Sequence, residues 1–128
     1  MFKLNIYNKN HVTTYSANSL SDVITNLPLA TLGTDFSLYL MDINNNIHIL
    51  DSLQYYTYTI SIVDKTESAS MGAETLTNSS LYDLIHYYKK LLLSKGNKTS
   101  ELHVLINQHD IKKQLINTVS IVDHIKGK

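Results

Sequence analysis

Residues 54–63 read QYYTYTISIV. Side chains alternate along an extended chain, so Tyr56, Tyr58, Ile60 and Ile62 fall on one side and Tyr55, Thr57, Thr59 and Ser61 on the other. The first row predicts a core face. The second, with four hydroxyl residues in line, predicts a solvated sheet face. This is the strongest strand signal in the chain, and its two faces point to a sheet with one side covered.

Immediately after it the pattern breaks. Residues 65–80, KTESASMGAETLTNSS, hold no aromatic residue, and Met71 and Leu76 are their only large apolar ones. They read as a long loop, and loops of that length inside a compact domain tend to be functional. Ser68, Ser70, Met71 and Gly72 form its flexible centre and are candidate partner contacts, Met71 because its thioether adapts to irregular surfaces.

Before the opening strand, FKLNIY and HVTTYS (residues 2–7 and 11–16) form a hairpin by their alternation and β-branched content. Ser19 followed by Asp22 is a helix-start pattern: the serine oxygen accepts a free backbone N–H, and the acid suits the positive helix end. Leu20, Val23, Ile24 and Leu27 give that helix its apolar stripe, and Pro28 ends it. DFSLYLMDI (35–43) reads as a central strand, NNN (44–46) as a turn, and IHILDS (47–52) as the return. These strands and the 54–63 stretch are expected to run as consecutive antiparallel neighbours.

After the loop, Ser80 and Asp83 repeat the helix-start pattern. Leu81, Leu84, Ile85, Tyr88, Leu91 and Leu92 recur at three and four residues, and Gly96 stops the helix. ELHVLI (101–106) reads as a strand. NQHDIKKQLINTVSIVDHIKGK (107–128) reads as a final helix, with Asn107 and Asp110 at its start and Ile111, Leu115, Val119 and Val122 on its buried face. The order ββαβββαβα, with no repeat at a fixed period, predicts an α+β single domain over 1–128: an antiparallel or mixed sheet of about five to six strands with three helices.

Composition narrows the function. The 128 residues contain no cysteine, which excludes disulfides and thiolate metal sites. No stretch resembles a signal peptide or a membrane span, which predicts a cytoplasmic protein without membrane contact. All basic residues are lysine. Arginine is the usual tool for bidentate phosphate and base recognition, so a sequence-reading nucleic-acid protein is disfavoured. Charge is polarised along the chain: residues 1–88 carry eight acids and three lysines, residues 89–128 eight lysines and three acids. Lys89, Lys90, Lys95, Lys98, Lys112 and Lys113 are candidates for non-specific nucleic-acid binding. The same polarity allows a homodimer.

The motifs of catalysis are missing: no Gly-X-Ser-X-Gly, no phosphate-cradling glycine loop, no His-Glu-X-X-His. Asp83 and His86 share a helix face, and Asp42 and His48 flank the NNN turn as a cross-strand pair. Asp35, Asp51 and Asp64 would serve an enzyme only if the fold brought these strand-end carboxylates together. Nine tyrosines against two phenylalanines and no tryptophan are a skewed aromatic set, and tyrosine is favoured in protein interfaces. Tyr55, Tyr82 and Tyr87 lie off the apolar rows of their elements, with His86 beside the last two.

The sequence therefore predicts a small non-catalytic protein, without cofactor or metal, acting by protein–protein contact. Its composition suits an inhibitor of a host defence system carried by a phage or mobile element, of anti-CRISPR-like character. The alternatives are a toxin-immunity protein, a non-specific nucleic-acid binder and a small enzyme with a strand-end carboxylate site.

Overall fold

The computed structural model describes residues 1–27, 32–66 and 74–126. In these residues eight strands and two helices follow one another: β1 (Phe2–Asn8), β2 (His11–Ala17), α1 (Leu20–Thr25), β3 (Phe36–Met41), β4 (Ile47–Asp51), β5 (Thr57–Asp64), β6 (Glu74–Ser79), α2 (Leu81–Lys95), β7 (Ser100–His109) and β8 (Leu115–Ile125). They build two four-stranded sheets, ordered β2-β1-β3-β4 and β6-β5-β7-β8, with every pairing antiparallel. The expectation of one sheet of five to six strands with three helices is overturned. The protein is mostly β.

Three local readings account for the difference. The segment read as a final helix is β8. Its buried residues are Val119, Ile121 and Asp123, an alternation of period two, while Ile111 and Leu115, assigned to the helical stripe, are exposed. The segment is rich in Ile, Val and Thr, which suit a pleated surface. Asp110, taken for a helix cap, caps a turn instead: its Oδ1 accepts the N–H groups of Lys112 and Gln114, both at 2.9 Å. Second, part of the expected 65–80 loop is β6, an edge strand that needs only Leu76 on its inner face. Third, β4 and β5 are not neighbours, because β5 opens the second sheet.

The two halves of the chain repeat one plan, ββαββ, with the first and third strands paired at the centre of each sheet. The repeat reaches the residues. Residues 19–24, SLSDVI, and 80–85, SLYDLI, begin the two helices, and in each the serine side chain accepts the aspartate N–H, at 3.2 and 3.1 Å. Residues 42–47, DINNNI, and 110–115, DIKKQL, make the two sheet-closing turns. Asp42 Oδ1 accepts from Asn44 and Asn46 at 2.8 and 2.9 Å, matching Asp110. The left-handed residue is Asn45 (φ 65°) in one turn and Lys113 (φ 63°) in the other.

One apolar core joins the halves. Leu4, Leu38 and Leu50 of the first sheet, Ile60, Val104 and Ile121 of the second, Leu20 and Ile24 of α1, and Leu84 and Ile85 of α2 belong to a single buried cluster. Each such side chain contributes about 2 kcal/mol of transfer free energy. The core row of the 54–63 stretch is as expected at Tyr58, Ile60 and Ile62, with Tyr56 half-buried. At the seam between the sheets, Ile43 N donates to Ser120 O at 3.0 Å.

Candidate functional site

The halves differ most in their helices: α1 has six residues, α2 fifteen. Matched from their serine caps, α1 ends where α2 reaches His86. The turns that follow, Tyr87–Lys95, have no counterpart in α1. They stand beside β6 and leave a groove of about 510 Å³. Leu76 and Ser79 of β6 form one wall. Asp83, His86, Tyr87, Lys89, Lys90 and Leu93 of α2 form the other.

The groove combines exposed apolar surface with aromatic and imidazole side chains in or beside its walls. Leu93 is 68% exposed. The ring of His86 sits 4.2 Å from that of Tyr82, centroid to centroid, and Tyr82 is itself exposed. His86 Nε2 is buried, and among the described residues it has no hydrogen-bond partner. Burial pushes the Tyr87 hydroxyl above its usual pKa, and the Glu74 carboxylate adds to the rise. Tyr87 therefore stays a neutral donor and acceptor at the groove wall.

Of the partner contacts expected from sequence, His86 and Tyr87 line the groove and Tyr82 adjoins it. Tyr55 lies elsewhere, between β4 and β5, with its ring 4.5 Å from Tyr56. Ser68, Ser70, Met71 and Gly72, like Pro28, lie outside the described residues. Leu76, Ser79 and Leu93 were missed. Leu93 had a signal: residues 91–93 are three leucines in succession, about 100° apart around a helix, so they cannot all face one core.

The basic residues do not form one stripe. Lys95 Nζ is bound to Asp64 Oδ2 at 2.6 Å, both side chains largely buried. Lys89 Nζ donates to Leu27 O at 2.7 Å. Lys90 lines the groove. Lys98 precedes β7, and Lys112 and Lys113 follow it; β7 is ten residues long, which separates its ends by about 30 Å.

The strand-end carboxylates are also dispersed. Tyr58 donates to Asp51 O at 2.7 Å, which puts Asp51 at the start of β5. Asp35, just before β3, lies at the same end of the first sheet, where Phe36 N donates to Ser52 Oγ at 3.0 Å. Asp64 is at the far end of β5, about 20 Å away. Burial raises its pKa, but Lys95, the Thr66 N–H and Ser100 outweigh that and hold it below the usual value. Among the described residues no group of three His, Asp or Glu side chains is placed to hold a metal ion.

Asp42 and His48 do meet, though not as cross-strand partners: His48 is opposite Leu40. The side chain reaches along the sheet, and Nε2 lies 2.7 Å from Asp42 Oδ2. Its Nδ1 is 3.1 Å from Asn117 Oδ1 on β8. The pair is a tie between the two sheets. His48, followed by the Asn46 and Asn44 amides, lowers the Asp42 pKa.

Among the described residues no helix is long and apolar enough to cross a membrane. Comparison with protein-family models, with curated proteins and with solved structures gives no match.

Proposed function

We propose that this is a non-catalytic binding protein that acts by protein–protein contact through the α2–β6 groove. The carrying observation is the exposed apolar and aromatic surface at the groove, with Leu93 68% and Tyr82 40% exposed and Leu76, His86 and Tyr87 in or beside its walls. A partner that enters the groove covers Leu76, Tyr87 and Leu93. Tyr82 and Tyr87 add contact area at small entropic cost. Four of the groove's lining residues, Tyr87, Lys89, Lys90 and Leu93, belong to the α2 turns that one half of a repeated plan carries and the other lacks.

An inhibitor carried by a phage or mobile element and working in the cytoplasm is the concrete form of this proposal. Its support is the arginine-free, lysine- and asparagine-rich composition. The test is co-purification from the native host with wild-type protein and with a Tyr82→Ala/Tyr87→Ala variant. A stable complex formed by the wild type and lost by the folded variant supports the proposal. An undiminished complex refutes the site.

A further inference from the structure

The sheets have four edge strands, β2, β4, β6 and β8, and an unpaired edge is a template for another strand. Three of them are defended. β4 and β8 abut at the seam through the Ile43–Ser120 and His48–Asn117 bonds. β6 is broken by a bulge where it faces β5, carries Glu74, and has Asn78 in the left-handed region (φ 49°). β2 has no such device. Its register against β1 is unbroken over all seven residues, and HVTTYSA holds no Lys, Asp, Glu or Pro.

The outward-facing groups of β2 follow from one bond. Tyr7 N donates to Asp35 O at 2.9 Å, away from β2. In an antiparallel strand the N–H and C=O of one residue face the same neighbour, and successive residues alternate. Asn8, Ile6, Leu4 and Phe2 therefore bond to β2, through their partners His11, Thr13, Tyr15 and Ala17. Val12, Thr14 and Ser16 turn their N–H and C=O outward. Among the described residues these backbone groups have no partner. Val12 is 58% exposed.

We propose that β2 pairs antiparallel with β2 of a second copy, about a two-fold axis at Thr14. Thr14 then meets Thr14 of the second copy, and Val12 meets its Ser16. Each of these is a doubly hydrogen-bonded pair, and threonine opposite threonine is a favourable cross-strand match. The absence of Lys, Asp and Glu from β2 means that self-pairing sets no like charges against each other. The dimer interface is separate from the α2–β6 groove and does not depend on it.

Sedimentation equilibrium across a concentration series tests this, with Thr14→Pro and Thr14→Lys as variants. Proline removes an outward N–H that β1 does not use, a position where edge strands tolerate it. Lysine keeps the N–H but sets two ammonium groups at the axis. The expected result is a wild-type dimer whose fraction rises with concentration, and two variants that remain monomeric with unchanged circular dichroism. Amide exchange at Val12, Thr14 and Ser16 of the wild type should slow as concentration rises. A wild type that stays monomeric at every concentration overturns the proposal. So does a dimer that persists in Thr14→Lys, or one whose Val12, Thr14 and Ser16 amides exchange as in the monomer.

Discussion

The hydroxyl of Tyr88 on α2 donates to the buried carboxylate of Asp123 on β8. Ser21 of α1 donates to the other carboxylate oxygen at 3.3 Å. Asp123 is 1% exposed. One acid thus ties both helices to an edge strand of the second sheet, at the place where the two halves share their core.

This cluster predicts a pH effect. Burial raises the Asp123 pKa, and donation from Tyr88 and Ser21 offsets part of the rise. The folded chain then holds the proton more tightly than the unfolded chain. The stabilising contribution is full below the unfolded carboxylate value of about 4 and declines as pH rises through the raised folded value. Asp123→Asn removes that decline, so the stability of wild type relative to the variant, from urea denaturation, should fall with rising pH over that window. Tyr88→Phe leaves the carboxylate short of a donor and should cost about 1–3 kcal/mol.

Asp64 and Lys95 predict the opposite slope. The Asp64 pKa is lowered overall, so its stabilisation is present above the unfolded value of about 4 and is lost as pH falls through the depressed folded value. Lys95→Met should destabilise the protein by roughly 1–3 kcal/mol at neutral pH, the cost of a charged group left without its partner. The difference from wild type should vanish in acid. A penalty that stays constant with pH would show that the ion pair contributes little.

The two Asx turns can be ranked. Asp110→Ala removes the acceptor for Lys112 and Gln114 and should cost about 1 kcal/mol, as a lost helix cap does. Asp42→Ala removes the equivalent acceptor and also the anchor of His48, which bridges to Asn117. It should lower the melting temperature further than Asp110→Ala. The reverse order would mean that the His48–Asn117 tie across the seam adds no stability.

Local chemistry was legible in the sequence where one residue determines one feature. Ser19 and Ser80 marked both helix starts, and the leucine stripe of α2 was read correctly at Leu81, Leu84, Ile85 and Tyr88. The failures came where one signal serves two structures. An aspartate that accepts N–H groups from residues just ahead caps a helix or closes a turn, and Asp110 was assigned to the wrong one. Residues 111–122 satisfy a helical spacing at Ile111, Leu115 and Val119, yet Val119 and Ile121 alternate, and burial chose the alternation. An edge strand buries one row at most, so β6 looked like a loop.

The repeat was hidden for a different reason. Its halves share the pattern Ser-Leu-X-Asp-X-Ile at the helices and Asp-Ile at the turns, but the longer α2 shifts the spacing between these landmarks. No fixed period survives. The candidate site was legible in its tyrosines and His86, because these sit off the apolar stripe. Its β6 wall was not, since pairing Leu76 with Ile60 is a fact of register.

The most direct test of the binding account is site-specific photo-crosslinking in the native host. A photoreactive residue is placed at Leu93, inside the groove, or at Leu105, on the outer face of the second sheet. The account predicts one dominant protein adduct from position 93, lost when Tyr82 and Tyr87 are changed to alanine, and none of that mass from position 105. The same adduct from both positions, or none from position 93, would contradict it.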